Sequence, residues 1–138
     1  MSAPDFLDTN VLIYGYNASD SRKQRRAQDL IRKALSGEAL TSTQVLAEFA
    51  AALLHKALPR IHPKEVLLLL DALGPINLVE TDAEIVRRAV DARNQYGIHF
   101  FDGMVVAAAE RGGCKRIWSE DFNAGQKYFG IEVENPFR

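Results

Sequence analysis

The chain has 138 residues, of which 47% are hydrophobic and 25% are charged, as is typical of a soluble globular protein with one core. The net charge of −1 gives no overall attraction to nucleic acid, and the single cysteine, Cys114, excludes an internal disulfide and a cysteine-based zinc site. No apolar run approaches the length of a membrane span, and the N-terminus lacks the basic start and apolar stretch of a signal peptide. We therefore expect a cytoplasmic protein with a single domain over residues 1–138.

Segments with the patterns of strands and helices alternate along the chain, as in α/β folds with a parallel sheet. The first half predicts a strand at 5–8, a helix at 21–35, a short strand at 39–41 and a helix capped by Ser42 or Thr43. A helix follows at 63–73, with Pro63 near its start. Because this helix is apolar around nearly its whole circumference, we expect it to be deeply buried or to contact another subunit.

The second half continues the alternation. It predicts a strand at 76–80, a helix that opens at Thr81-Asp82 and extends through Tyr96, a helix at 101–111, and strands at 115–119 and 130–133. The fold class is therefore α/β with five predicted strands.

Acidic residues follow two of the predicted strands. Asp8 closes the first strand, and Glu120-Asp121 closes the fourth. Open parallel sheets bind ligands at the carboxyl ends of their strands, and these two strands are neighbours if the strand order reverses after the third. Taken singly, Asp8 and Asp121 are also ordinary turn formers.

Two further acids lie on predicted helices. Asp102 stands at the start of a helix, where an N-cap is the structural alternative. Glu48 lies at the edge of the buried stripe of its helix, where it must be paired, bound to metal or able to reach solvent from the rim. Clustered carboxylates without histidine or cysteine favour Mg²⁺ or Mn²⁺ over zinc, and such ions relieve the mutual repulsion and assist phosphodiester chemistry.

Four segments resemble, in order along nearly the whole chain, the motifs of PIN-domain nucleases: DTNVLIY at 8–14, TQVLAEF at 43–49, FDGMVVAAA at 101–109 and WSEDF at 118–122. The ending GIEVENPF at 130–137 resembles that of VapC-type toxins of type II toxin–antitoxin systems. The resemblance implies a three-layer α/β/α fold with a five-stranded parallel sheet of order 3-2-1-4-5.

The resemblance also implies an activity and partners. It implies a homodimeric, Mg²⁺- or Mn²⁺-dependent endoribonuclease that cuts RNA, with transfer or ribosomal RNA as possible targets. A cognate antitoxin would neutralise it by inserting a basic side chain into the acidic pocket. Carried over by motif, Asp8 and Asp102 are the main metal ligands, Asp121 completes the set, and Glu48 orients the attacking water or binds a second ion.

The same motifs imply lesser roles for some neighbours of the four acids. Asn10 and Ser119 occupy supporting polar positions, and Glu120 is a possible fifth acid. Gly103 stands where many relatives have alanine, a departure that leaves the acids intact.

Several alternatives stay open at this point. The basic segment at 22–33 is either a solvated helix face or a surface for RNA phosphates. A catalytically inactive PIN-like module that binds RNA or protein would be expected to lack one of the acids, and none is replaced. An aspartyl-phosphate phosphotransferase would need an acid where Asn10 stands, and a receiver domain would need a lysine on the last strand, which has Ile131 and Val133.

Overall fold

The computed structural model describes residues 3–16 and 19–138, which form a six-stranded sheet flanked by helices. The strands are β1 (Asp5–Leu7), β2 (Ala39–Ser42), β3 (Asn77–Val79), β4 (Arg116–Trp118), β5 (Lys127–Tyr128) and β6 (Ile131–Glu134). The helices are α1 (Thr9–Tyr16), α2 (Ser21–Leu35), α3 (Thr43–His55), α4 (Pro63–Ala72), α5 (Ala83–Tyr96) and α6 (Phe100–Arg111).

The sheet order is β3-β2-β1-β4-β6-β5, and every pairing except β5 with β6 is parallel. The five predicted strands correspond to β1, β2, β3, β4 and β6, so the expected order 3-2-1-4-5 is confirmed for the parallel part. The pattern did not predict β5, because a two-residue edge strand is too short to show an alternation. It pairs antiparallel with β6 through Lys127 with Glu132 and Tyr128 with Ile131.

The side chains of the sheet alternate between two hydrophobic clusters, which gives the expected three layers. Phe6, Ile117 and Val133 lie in one cluster, together with residues of α3, α5 and α6. Leu7 and Trp118, the next residues of β1 and β4, lie in the other cluster, together with residues of α1 and α2. The strands are therefore covered on both faces, and their carboxyl ends form one edge at which loops and helix starts meet.

Two helices differ from the sequence-based expectations. The eight-residue α1 was not predicted, because it buries only Val11 and Leu12 and follows directly on residues typical of a turn. The expectation that α4 is deeply buried is wrong: only Val66 of this helix is buried, whereas Leu67 and Leu68 are 61% and 68% exposed. Its contact with another subunit stays a prediction. None of the helices described, α4 included, is long and apolar enough to cross a membrane.

Candidate functional site

Asp8 lies at the carboxyl end of β1, where β1 and β4 run side by side with Leu7 opposite Trp118. Its side chain is 3% exposed and accepts two short hydrogen bonds. The backbone N–H of Thr9 donates to Oδ1 at 2.7 Å, and the hydroxyl of Ser119 donates to Oδ2 at 2.7 Å. The prediction that the carboxyl ends of the first and fourth strands lie side by side is therefore confirmed.

Burial dominates the electrostatics of Asp8. Desolvation raises the pKa of this carboxyl to about 7, although the hydrogen bonds from Ser119 and Thr9 act in the opposite direction. The pKa of about 7 also includes smaller upward contributions from the nearby carboxylates of Asp121 and Glu48. Ionisation of Asp8 at neutral pH is therefore costly, and a nearby positive charge would reduce that cost.

A small polar network connects Asp8 to Asp121. The buried hydroxyl oxygen of Ser119 accepts hydrogen bonds from Nδ2 of Asn10 at 3.3 Å and from the backbone N–H of Asp121 at 3.1 Å. The same Asn10 Nδ2 donates to Oδ2 of Asp121 at 3.1 Å, and its Oδ1 accepts the backbone N–H of Glu120 at 3.2 Å. The two predicted supporting residues thus fix the loop after β4 against the start of α1.

Glu48 lies on α3, with its side chain half-buried and directed toward the start of α1. The hydroxyl of Thr9 donates to Oε2 at 2.9 Å, and Nε2 of Gln44 donates to Oε1 at 2.6 Å. Glu48 is therefore neither an unpaired buried charge nor a simple rim residue. The sequence analysis did not select Thr9 and Gln44, although each has a local signal: one adjoins Asp8 and the other precedes Glu48 by one helical turn.

Asp102 lies in the first turn of α6 and is half-buried. The N-cap of this helix is His99, whose ring nitrogen accepts the backbone N–H of Phe101, so the N-cap explanation for Asp102 does not hold. Burial raises the pKa of Asp102. The nearby carboxylates of Asp121 and Glu48 also raise this pKa, whereas His99 lowers it. Each of the four acids therefore lies close enough to others in the set to interact electrostatically.

Close helix packing positions Asp102. A Cβ atom on Gly103 would lie 2.6 Å from the carbonyl oxygen of Ala89 on α5, a distance that real Cβ atoms do not show. The glycine that departs from the common alanine of the motif therefore allows α5 and α6 to approach closely at the residue next to Asp102.

Three of the four acids, Glu48, Asp102 and Asp121, line a crevice at this edge of the sheet, whereas Asp8 is buried beside it. Among residues 3–16 and 19–138, no three side chains of histidine, cysteine, aspartate or glutamate are close enough to hold a metal ion as they stand. Two recesses meet at Asp121: one of about 400 Å³ that also includes Glu48, and one of about 270 Å³ that also includes Asp102. A shared ion would require the side chains of Glu48, Asp102 and Asp121 to rotate toward Asp8.

Glu120 lies outside this crevice. Its carboxylate accepts hydrogen bonds from the hydroxyl of Tyr14 at 2.6 Å and from Nζ of Lys23 at 2.9 Å. Although burial opposes the effect, these two hydrogen bonds lower the pKa of Glu120. The structure thus places the possible fifth acid in an ion pair between the loop after β4 and α2.

The basic segment on α2 is largely occupied by contacts within the protein. Lys23 pairs with Glu120, and Arg22 and Arg26 donate to the backbone carbonyls of Phe137 and Pro136 at 3.2 and 3.4 Å. Arg32 pairs with Asp29 on the same helix. Three of these basic side chains therefore anchor the C-terminal residues or the loop after β4, and a fourth pairs within α2, which favours a structural role for this segment over a continuous phosphate-binding surface.

The sequence matches the family model of the PIN domain over residues 6–129, a span that includes all four acids. The chain belongs to the PIN-domain family. A comparison with curated protein sequences found no significant match.

Solved structures show the same PIN fold at low sequence identity. A toxin–antitoxin complex from Klebsiella pneumoniae has a TM-score of 0.69 at 19% identity, covering 99% of this chain and 98% of that chain. VapBC2 from Rickettsia felis, bound to a DNA fragment from its promoter, has a TM-score of 0.67 at 15% identity, covering 95% and 97%. VapC20 from Mycobacterium tuberculosis, a toxin that cleaves the sarcin-ricin loop, has a TM-score of 0.65 at 19% identity, covering 93% and 98%. At these identities the likeness establishes a shared fold.

Proposed function

We propose that this PIN domain is a Mg²⁺- or Mn²⁺-dependent endoribonuclease whose active site consists of Asp8, Glu48, Asp102 and Asp121. The observation that supports this most strongly is the coupled set of acids at the carboxyl edge of the sheet. Burial raises the pKa of Asp8 to about 7, and Asp121 and Glu48 raise the pKa values of both Asp8 and Asp102. Such an arrangement is costly for folding alone and is typical of a functional site.

The donor set fits a hard divalent cation. All four candidate ligands are carboxylates, and no thiol belongs to the set, which matches the oxygen preference of Mg²⁺ and Mn²⁺. Asp8 and Asp102 would be the main ligands, with Asp121 and Glu48 completing the site. A bound ion of this kind supplies activation of a water molecule and stabilisation of the charge that develops on the phosphate.

The chain's own residues position the reacting groups. Ser119 and the backbone of Thr9 fix both oxygens of Asp8, so this carboxylate acts as the rigid part of the site. Thr9 and Gln44 hold Glu48 on the opposite side of the crevice, where it can orient or deprotonate an attacking water. Asn10 holds Asp121 between the two recesses.

Cleavage assays test this proposal. We expect the purified protein to cut RNA with Mn²⁺ or Mg²⁺ and to stop when a chelator is added. Asp8→Asn, which preserves the size of the side chain, should lose at least about a hundredfold in rate, because it removes charge at the most buried ligand. Asp71→Asn on the exposed face of α4 is the matched control and should cut like the wild type. Undiminished cleavage by Asp8→Asn would contradict the site assignment, and a wild type without activity on RNA would support a non-catalytic binding module instead.

We further propose that the nuclease acts as the toxin of a toxin–antitoxin pair. The supporting observations are the motif resemblance and the fold shared with the Klebsiella pneumoniae complex and with VapC20. Induced expression of the wild-type chain should slow bacterial growth, whereas expression of Asp102→Ala at the same level should not. Equal growth in both cases would contradict the toxin role and leave the nuclease proposal standing.

An apolar recess supports a protein partner for the toxin. It has a volume of about 400 Å³ and lies between α1, α2 and α4, where it is lined mainly by Leu12, Ile31, Phe49, Leu69 and Leu73. We propose that the cognate antitoxin covers it and inserts a basic side chain among the acids. Co-expression with the product of the neighbouring small reading frame should restore growth. Leu69→Glu in the toxin should weaken that rescue, and retention of full rescue would argue against this surface.

The proposed oligomeric state is a homodimer. The exposed Leu67 and Leu68 on α4, and Val86 and Val90 on α5, are apolar side chains available for such a contact. Sedimentation at micromolar concentration should give about twice the mass of one chain, and a monomer at that concentration would contradict the proposal.

A further inference from the structure

The recess beside Asp102 and Asp121 has features that metal binding does not use. Its volume is about 270 Å³, smaller than the roughly 300–1,000 Å³ of pockets for drug-sized ligands and suited to a single flat ring system. Its walls come from the end of α5 and from the loop between β4 and β5. The lining residues beyond the two acids include Tyr96, Ile98, Phe122, Asn123, Gln126 and Tyr128.

Two side-chain amides stand at one wall of this recess. Nδ2 of Asn123 donates to Oε1 of Gln126 at 3.3 Å, and the backbone N–H of Gln126 donates to the carbonyl of Asn123 at 3.3 Å. Within the described part of the chain, no side chain forms a hydrogen bond with Oδ1 of Asn123 or with Nε2 of Gln126. The pair therefore presents one hydrogen-bond acceptor beside one donor, on a loop whose conformation is fixed by its own hydrogen bonds.

Aromatic rings form another wall. The hydroxyl of Tyr96 accepts the backbone N–H of Phe129 at 2.9 Å, and its ring meets that of Tyr128 edge-on with the centroids 5.1 Å apart. Phe122 and Tyr128 are buried beneath it. Tyr96 itself is only half-buried, so this fixed ring offers an aromatic surface to a flat ligand.

The charged side chains around the crevice favour different ligand groups in its two recesses. The recess with the amides is bordered by Asp102 and Asp121, so a phosphate there would be repelled unless a metal ion lay between. A neutral base meets no such penalty. The recess on the other side of Asp121 is bordered by Lys56, an exposed cation that suits a backbone phosphate.

We infer that the Asn123–Gln126 recess holds the base of one unpaired nucleotide adjacent to the cleaved phosphate, and that the two amides contact the hydrogen-bonding edge of this base. The inference rests on the proposed ribonuclease function and specifies its substrate as single-stranded at this position. A base in a duplex is excluded, because its Watson–Crick edge is already paired and single strands are where proteins contact such edges.

Cleavage of a randomised single-stranded RNA library tests this recess. With Mn²⁺, the wild type should prefer certain bases at one position next to the cut. Asn123→Ala and Gln126→Leu should each reduce that preference by about five- to a hundredfold, the range expected for contacts to a base edge. Asn94→Ala and Gln95→Leu, on the exposed side of α5, are matched controls and should keep the wild-type preference. A wild type without preference, or variants that retain it, would overturn the inference.

A binding measurement tests the base recess independently of the proposed cleavage activity. In the presence of a chelator, fluorescence anisotropy should show that the wild type binds a short single-stranded RNA more tightly than the same sequence in a duplex. Gln126→Leu should lose most of that difference, whereas Gln95→Leu should not. Equal affinity for both RNAs would overturn the base recess even if cleavage occurs. Selective binding without cleavage would support the recess and contradict the nuclease proposal. Thermal unfolding of each variant excludes misfolding as the cause.

Discussion

The replacement of Asp8 by asparagine should stabilise the protein at neutral to alkaline pH while abolishing its activity. Because burial raises the pKa of Asp8 to about 7 in the folded chain from 3.8, the folded state binds this proton more tightly than the unfolded state. The stability that the proton supplies is fully present below about pH 4 and is lost as the pH rises through about 7. A shift of about 3 pKa units corresponds to about 4 kcal/mol in total, of which about 2–3 kcal/mol is lost between about pH 5 and pH 8.

The asparagine variant has an opposing cost that does not depend on pH. The hydroxyl of Ser119 donates to Oδ2 of Asp8, and an amide nitrogen at that position would force the hydroxyl to turn away. A displaced hydrogen bond of this kind costs about 1 kcal/mol. The pH dependence of the difference between the two proteins is therefore more informative than the difference at a single pH.

Urea unfolding in a chelating buffer between about pH 5 and pH 8 measures this quantity. The free energy of unfolding of Asp8→Asn should increase relative to the wild type by about 2–3 kcal/mol across that range. Asp71→Asn, which changes an exposed carboxylate on α4, should follow the wild-type curve. Parallel curves for Asp8→Asn and the wild type would refute the claim that Asp8 is buried at an electrostatic cost.

Three further substitutions test the surroundings of the site. Gly103→Ala should lower the free energy of unfolding by about 1–2 kcal/mol in urea, because the added Cβ overlaps the carbonyl of Ala89; unchanged stability would contradict this packing. Ser119→Ala removes one donor to Asp8 and one acceptor for two N–H groups, and should cost about 1–3 kcal/mol in the same assay; a loss well below 1 kcal/mol would show that the network is dispensable. Glu120→Gln should cost less than about 1 kcal/mol and leave most RNA cleavage intact; a loss of cleavage as large as that of Asp121→Asn would show that Glu120 is a fifth catalytic acid.

The sheet could be predicted from sequence because its strands are short, apolar and regularly separated by amphipathic helices. Phe6 and Leu7 illustrate the limit of that information: both are fully buried, on opposite faces, so apolar character gave the strand but not the side to which each residue points. The edge strand β5 and the helix α1 were missed because their stability comes from tertiary contacts. The exposure of Leu67 and Leu68 was missed because composition does not reveal which helices flank the sheet closely.

Sequence alone predicted less of the candidate site than of the sheet. The strand-end rule brought Asp8 and Asp121 together from sequence alone, whereas Glu48 and Asp102 joined the set through the motif resemblance. Neither argument paired Thr9 with Glu48: Thr9 adjoins Asp8 in sequence, but it is 39 residues from Glu48, and no periodic pattern connects residues that far apart. The direction of Glu120 toward Lys23 likewise depends on the position of α2, which only the folded chain shows.

The most direct test of the central claim is the single-turnover rate of RNA cleavage as a function of Mn²⁺ concentration, for the wild type and Asp102→Asn. The proposed function predicts a rate that saturates with Mn²⁺ in the wild type and falls at least about a hundredfold in the variant, with no cleavage by either protein in a chelator. Cleavage that persists in the chelator, or equal rates for the two proteins at saturating Mn²⁺, would contradict a metal-dependent nuclease built on these carboxylates.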